Sequence, residues 1–186
     1  MRYLGLLGAF ALFASSGAAA DDAAAKKELA PTGKLRAAIA WGPAPSGLYA
    51  LKDATTGQYR GITIDLATAL AKTLGVPLEL FAVLASGEIQ NSAASNVWDV
   101  TFIPVDEARK KVIDFGPAYV LSQSTYIVAP GSPIKSVTDA NKAGIRICGV
   151  KDTATFRAAI AALANATHVT VAGQPGGDRR NEGRPV

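Results

Sequence analysis

The segment Asp65–Gly75 constrains the possible folds more than any other part of the chain. Its leucines recur every four residues, which predicts an amphipathic helix that Asp65 caps at its start and Gly75 ends. Apolar, strand-like runs lie on both sides of it, Leu35–Trp41 before and Leu78–Val83 after. A strand, a helix and a second strand joined by short turns favour a right-handed parallel crossover. The fold class is therefore predicted to be α/β.

A third strand is predicted over Trp98–Ile103, and a short helix is expected to leave it at Asp106. Arg109 lies one turn later, so its guanidinium is expected near the N–H groups of a helix N-terminus, a favourable seat for an anion. Ligands bind at the carboxyl ends of strands in open α/β sheets. The loop Pro104–Arg109 and Trp41 are therefore candidates to face one cleft. Spacing alone leaves open that Arg109 lies on a solvated helix face and that Trp41 belongs to the core.

The remaining patterns of the first half predict a hairpin over Lys52–Gly61, a helix over Ser86–Ser95 and a strand over Ser124–Ala129. After Pro133 the pattern restarts with a helix capped by Ser136. A strand, a helix and a strand follow at Ile145–Val150, Thr153–Asn165 and His168–Val171. This second unit buries few faces by itself, so it is expected to need more chain or a partner surface.

Both ends of the chain differ from this pattern. An arginine at position 2, an apolar run and a small-residue stretch predict a secretory signal peptide over residues 1–20. Residues 21–33 are predicted to be a loose leader, and residues 172–186 a disordered tail, because neither has apolar periodicity. No cysteine follows the apolar run, so no lipid anchor is expected. The protein is predicted to be exported to the periplasm in soluble form.

Composition excludes several kinds of function. The formal net charge of +4 is spread thinly, with no dense stripe of Lys and Arg, so no nucleic-acid partner is expected. Cys148 is the single cysteine and His168 the single histidine, which leaves too few ligands for a Cys/His zinc site and no internal disulfide. Cys148 lies in an apolar run and is expected to be buried and inert. No cofactor and no metal are predicted.

Four stretches together resemble the extracytoplasmic solute-binding proteins of ABC importers, family 3, the amino-acid-type class. They are LRAAIAWG, GQYRGITIDLATALAKTLGVPLEL, WDVTFIPVDEARKKVIDFGPAY and AGIRICGVKDTATF, and they lie within residues 35–171. The resemblance implies a type II periplasmic-binding-protein-like fold, in which two lobes close on a small ligand. Residues 34–129 would form the first segment of lobe 1 and the hinge strand, and residues 130–171 part of lobe 2.

The same resemblance implies which residues bind the ligand. The arginine that matches Arg109 typically grips an α-carboxylate, and an aromatic residue near Trp41 stacks on the ligand. The hydroxyl residue that matches Thr153 contacts it as well. Pro104 lies in the loop that replaces a Ser-Gly-Met-Thr-like, ligand-holding segment of many members, and it completes the candidate set.

The sequence also departs from the family pattern. Asp106 stands where Thr is usual and is expected to neutralise Arg109 in part, while Asp152 stands where Gly is usual. Family members continue past residue 171, complete the second lobe and return to the first. The chain is therefore predicted to be a C-terminally truncated member with an incomplete second lobe, and to bind weakly or not at all.

The main functional hypothesis is a monomeric binding component that takes up a small amino-acid-like or carboxylate-bearing solute and passes it to an ABC permease. One alternative is a periplasmic enzyme on the same fold, of the cyclohexadienyl dehydratase type. Such an enzyme needs a placed general acid or base, for which Asp99, Asp106 and Glu107 are available. The other alternative is the ligand-binding domain of a sensor.

Overall fold

The computed structural model describes residues 16–42 and 46–171. The tail predicted for residues 172–186 lies outside them, and so do residues 1–15 of the predicted signal peptide. Helix α1, Ser16–Leu29, occupies most of the segment expected to be a loose leader, so that prediction is wrong. The segment is rich in Ala and Lys, which have high intrinsic helix propensity and need no apolar periodicity to form a helix. No helix within the described residues is long and apolar enough to cross a membrane.

A three-stranded parallel sheet forms the centre of the first lobe. Strand β1, Leu35–Ala40, lies between β4, Leu78–Val83, and β5, Val100–Thr101. Helix α2, Ile62–Leu74, connects β1 to β4 and confirms the predicted crossover. Because β1 is central, its side chains are covered on both faces, and four of them are almost fully buried: Leu35, Ala37, Ala38 and Ile39.

Helix α2 begins one turn earlier than predicted. Its N-cap is Gly61, and Asp65 lies in the first turn, so the assignment of Asp65 as N-cap is wrong. Gly61 has φ 133°, and a Cβ atom there would lie 2.5 Å from the carbonyl oxygen of Tyr49. The Thr63 hydroxyl donates to that same oxygen at 2.8 Å, which fixes the helix start against the preceding loop. The predicted end at Gly75 is confirmed, with φ 62°.

The predicted hairpin is confirmed as antiparallel strands β2, Leu51–Lys52, and β3, Tyr59–Arg60. Its turn is held by the Asp53 carboxylate, which accepts hydrogen bonds from the backbone N–H groups of Thr55 and Thr56. The helix predicted over Ser86–Ser95 is present as α3, Ser86–Asn91, followed by a 3-10 turn at residues 93–95.

Two strand predictions fail. The third strand is shorter than expected, since only Val100–Thr101 pairs with β1. Residues 124–129 form no strand, because no neighbouring strand within the described residues pairs with them. The side chain of Ile127 in that segment is 96% exposed. An apolar run thus becomes a strand here only where a partner edge is within reach.

The second unit follows the predicted order. Strands β6, Arg146–Val150, and β7, Thr167–Val171, pair in parallel, and helix α5, Ala154–Ala162, connects them. The short helix α4, Val137–Ala140, precedes them and is capped by the Ser136 hydroxyl, as expected. Cys148 is exposed, so the expectation of a buried cysteine is wrong. A sheet of only two described strands leaves one face of β6 uncovered.

An ion pair joins β1 to the chain entering β5. Arg36 donates from its Nε atom to Asp99 Oδ2 at 3.0 Å and from Nη2 to Asp99 Oδ1 at 2.6 Å. The backbone N–H of Arg36 binds the same carboxylate at 3.0 Å. The two side chains are only 15% and 5% exposed. Burial acts to raise the pKa of Asp99, but these hydrogen bonds from Arg36 outweigh it and hold the pKa below the ordinary 3.8.

We expect Asp99→Asn to lower the free energy of unfolding by about 2 kcal/mol, because it leaves the largely buried Arg36 guanidinium without its anion. Urea denaturation measures this value. The matched control is Glu79→Gln, which removes an exposed ion pair to Lys34 and is expected to cost at most about 0.5 kcal/mol. The folded pKa of Asp99 lies below the unfolded one, so its stabilisation is present above pH 4 or so and is lost as pH falls through the folded pKa. Equal unfolding midpoints for parent and Asp99→Asn would contradict this assignment.

Candidate ligand-binding site

The carboxyl ends of β1 and β5 lie side by side at one edge of the first sheet. The two strands are parallel, with Ala37 opposite Val100 and Ala38 opposite Thr101. Trp41 leaves the sheet at this edge directly after β1, and the chain toward Asp106 leaves it after β5. Both segments therefore start from the same edge of the sheet.

Arg109 is fully buried beside this edge, at 0% exposure. Its Nη1 atom donates to the backbone oxygen of Pro104 at 2.8 Å, and Nη2 donates to Ser86 Oγ at 2.8 Å. Its buried Nε atom has no hydrogen-bond partner among the described residues. Burial lowers the pKa of Arg109, and the nearby charge of Asp106 acts in the opposite direction. Within the described part of the chain, the Arg109 guanidinium thus has a free N–H donor, and it lies just behind the loop that contains Pro104.

The helix predicted to begin at Asp106 is a single 3-10 turn, Arg109–Lys111. The N-cap of this turn is Ala108, so the assignment of Asp106 as N-cap is wrong. Asp106 holds the chain just before the turn instead, since its Oδ1 atom accepts from the N–H groups of Ala108 and Arg109 at 3.0 and 2.9 Å. The N–H groups of Ala108 and Arg109 are thus taken by Asp106, whereas the Arg109 guanidinium binds Pro104 and Ser86.

Asp106 forms its ion pair with Arg157 of α5, not with Arg109. Arg157 donates from Nε to Asp106 Oδ2 at 3.1 Å and from Nη2 to the same oxygen, and Nη2 also donates to Gln90 Oε1 at 3.1 Å. Burial acts to raise the pKa of Asp106, but the hydrogen bonds from Arg109 and Arg157 keep it below its usual value. Sequence reasoning missed Arg157, because no local pattern relates two residues so far apart in the chain.

Thr153 is engaged in the local structure of the second unit. It is the N-cap of α5, where its hydroxyl accepts from the N–H of Phe156 at 3.3 Å and donates to the oxygen of Val150 at 2.8 Å. The preceding residue, Asp152, has φ 58°, a conformation that favours glycine. Asp152 thus holds the left-handed backbone at the position where Gly is usual in the family pattern.

Trp41 is half-buried and packs toward the β2–β3 hairpin. Its ring lies 6.4 Å from that of Tyr59 at an interplanar angle of 53°. The Nζ atom of Lys52 lies 5.2 Å from the centroid of Trp41 and 5.5 Å from that of Tyr59, within cation–π range. Trp41 therefore belongs to an aromatic cluster with an internal cation.

A cavity of about 740 Å³ opens between the strand ends and the second unit. Pro104, Ser86 and Thr153 are among its lining residues. Arg109 lies one contact behind Pro104 and Ser86, and Trp41 is not part of the wall. The rest is mostly apolar and comes from the second unit: Ile134, Ile145, Ile147, Phe156, Ala159 and Ala162. Of the four predicted residues, Pro104 and Thr153 therefore line the cavity, Arg109 lies behind its wall, and Trp41 lies outside it.

The titratable side chains offer little to a metal ion. In the part of the chain that the structure describes, no group of three His, Cys, Asp or Glu residues lies close enough to hold one. His168 packs edge-on against Phe156, with ring centroids 6.3 Å apart, which is a packing contact of the second unit.

Comparison with known proteins gives a family match. The profile of the bacterial extracellular solute-binding proteins, family 3, matches residues 45–172. A curated relative, the ABC transporter glutamine-binding protein of Bacillus subtilis, is 29% identical over 110 residues, which are 56% of this chain and 39% of that protein.

Solved structures resemble the chain over most of its length. An ancestral amino acid-binding protein, described as a precursor of cyclohexadienyl dehydratase, matches with a TM-score of 0.65 and 31% identity, covering 78% of this chain and 63% of its own. An amino acid ABC transporter substrate-binding protein from Streptococcus pneumoniae bound to L-arginine matches with a TM-score of 0.63 and 26% identity, covering 76% and 60%. The chain thus spans less than two thirds of the length of these relatives.

The cap at Thr153 gives a direct test of the local structure. We expect Thr153→Ala to weaken α5 by about 1 kcal/mol, because the N–H of Phe156 loses its acceptor. Amide hydrogen exchange within α5 should then be about fivefold faster. The matched control is Thr155→Ala, at an exposed position in the same helix, and its exchange should stay close to that of the parent. Equal amide exchange rates in Thr153→Ala and Thr155→Ala would contradict the role of Thr153 as the cap of α5.

Proposed function

The chain belongs to the bacterial extracellular solute-binding proteins of family 3, and on that premise we propose that it binds a small amino-acid-like or carboxylate-bearing solute between two lobes. The fold is the type II periplasmic-binding-protein-like α/β fold. The β4–β1–β5 sheet belongs to its first lobe and the β6–β7 pair to the described part of its second. The bound solute is delivered to the membrane permease of an ABC importer.

The observation that carries the proposal is the buried guanidinium of Arg109. A cation that is removed from water needs an anion or a full set of acceptors. Arg109 has two neutral acceptors and a buried Nε atom without one among the described residues. Both acceptors, Ser86 and Pro104, line the cavity. Rotation of the Ser86 side chain would release Nη2 toward a ligand carboxylate, which suits the planar, forked donor set of arginine.

The cavity supports a solute of amino-acid size. Its volume lies within the usual range for small-molecule sites. The hydroxyl groups of Ser86 and Thr153 line the cavity and can bind a carboxylate or an ammonium group, and the carbonyl of Pro104 can accept from an ammonium group. The apolar remainder accommodates a side chain. Trp41 contributes only if the hairpin cluster that holds it moves toward the cavity.

The location follows from the family, whose members are extracellular proteins. We propose more specifically that an N-terminal signal peptide exports the chain to the periplasm, where it acts as a monomer. The curated relative from Bacillus subtilis bears the name of an ABC transporter component, and this supports a permease as the partner.

Binding is favoured over catalysis by the surroundings of the three candidate carboxylates. Asp99 pairs with Arg36, and Asp106 pairs with Arg157. Glu107 is 85% exposed and pairs with Lys110. None of these three groups is therefore placed in the cavity as a general acid or base.

We expect Arg109→Gln to abolish binding, because it removes the cation that receives the carboxylate. The measurement is a two-dimensional NMR shift titration of the 186-residue chain with L-glutamine and L-arginine, which detects weak binding. The dissociation constant of the parent is expected near 0.1–1 mM in rough terms, since the chain spans less than two thirds of its structural relatives. Agmatine, which is arginine without its carboxylate, should give no saturable shift.

Lys111→Gln is the matched control, because it removes an exposed cation from the same turn and should leave the titration unchanged. If Arg109→Gln does not fold, Ser86→Ala tests the same carboxylate-binding position. We expect its affinity for L-glutamine and L-arginine to be several-fold weaker than that of the parent. Unchanged binding by a folded Arg109→Gln variant, or equal binding of agmatine and arginine, would overturn the proposed role of Arg109.

A further inference from the structure

One carboxylate joins the two lobes at the Arg109 turn. Asp106 uses its Oδ1 atom for the N–H groups of Ala108 and Arg109 in the first lobe. It uses its Oδ2 atom for the guanidinium of Arg157 in the second lobe. The backbone of Arg109 and the helix α5 are thus connected through a single side chain.

Arg157 makes a second contact with the first lobe. Its Nη2 atom donates to Gln90 Oε1 at 3.1 Å, and Gln90 lies on α3. The Arg157 side chain is 28% exposed and that of Asp106 19%. A pair that is shielded from water to this extent is screened less by salt than an exposed pair. Two acceptors on different elements also fix the direction of the guanidinium plane, which a single contact leaves free.

The first turn of α3 is in close contact with the second lobe at a neighbouring point. A Cβ atom on Gly87 would lie 2.7 Å from Asp152 Cβ and 2.9 Å from the Asp152 backbone oxygen. Gly87 follows Ser86, which accepts from Arg109. The lobes are therefore held at two places, by Gly87 against Asp152 and by Arg157 on Asp106 and Gln90, and both border the residues that contact Arg109.

We propose that Arg157 is a positioning residue, which docks the second lobe on the first through Asp106 and Gln90 and thereby couples that docking to the turn that carries Arg109. As a consequence, the lobes keep a defined separation when this latch of Arg157, Asp106 and Gln90 is intact. The separation becomes variable when the latch is broken. The relevance of Arg109 to a ligand rests on the proposed function, whereas the latch itself does not.

The test measures the distance between the lobes in the full chain without any ligand. Spin labels are attached at Thr73→Cys on α2 and Ala161→Cys on α5, both at exposed positions, in a Cys148→Ser background. Double electron–electron resonance should give one narrow distance distribution for the parent. Arg157→Gln should broaden it and shift it to longer distances.

Two variants separate a positioning role from simple packing of α5. Arg157→Lys restores a positive charge beside Asp106, but lysine cannot bind both Asp106 and Gln90 as arginine does. Its distance distribution should therefore be narrower than that of Arg157→Gln and broader than that of the parent. Arg146→Gln, on the exposed face of β6, is the control and should match the parent. If Arg157→Gln does not fold, Asp106→Asn is used for the test, because its amide oxygen can still accept from the N–H groups of Ala108 and Arg109 while the ion pair is lost.

A distribution that stays narrow in folded Arg157→Gln or Asp106→Asn would overturn the latch, and so would a lysine variant no better than the glutamine variant. The ligand titration has no part in this readout. A failure of the proposed function would leave the distances as predicted, and a failure of the latch would leave the titration as predicted.

Discussion

Parallel hydrogen bonding along β1 is the constraint on which the rest of the first lobe depends. Because β4 and β5 both pair with β1 in the same direction, the chain segments that follow all three strands emerge at one edge. Those segments are Trp41 with its hairpin, the first turn of α3, and the loop toward Asp106. Their convergence places Ser86 within reach of Arg109, although 23 residues separate them. The buried pair of Arg36 and Asp99 fixes the start of the same strand pairing.

Much of this architecture follows from local sequence signals. The leucine spacing of α2, its glycine end, the Asp53 turn and the caps of α4 and α5 are short-range features, and each one is present in the structure. The signals fail where a distant group decides the outcome. Gly61 starts α2 because the carbonyl of Tyr49 leaves no room for a side chain. Cys148 is exposed because a strand is buried only when both faces of its sheet are covered.

In the candidate site, too, the short-range features could be predicted and the long-range contacts could not. The position of Arg109 after the third strand could be predicted from spacing in one loop, whereas the helix expected to begin at Asp106 is only a 3-10 turn with Ala108 as its N-cap. The complete burial of Arg109 and the engagement of Asp106 by Arg157 depend on elements 23 and 51 residues away. The family pattern located the arginine, and the departure at Asp106 indicated a charge relation with Arg109. The charge of Asp106 does act on Arg109, but the ion pair of Asp106 is with Arg157, so the carboxylate is shared between the backbone of one lobe and the side chain of the other.

The unpaired run of residues 124–129 has a consequence for the behaviour of the chain in solution. No charged residue occurs between Asp114 and Lys135, and the run STYIVA combines β-branched and aromatic residues with no internal proline. The side chain of Ile127 is almost fully exposed within it. These are the properties of a segment that forms cross-β ladders with copies of itself. The time for which the folded chain stays in solution without aggregating therefore depends on its concentration as well as on its folding stability.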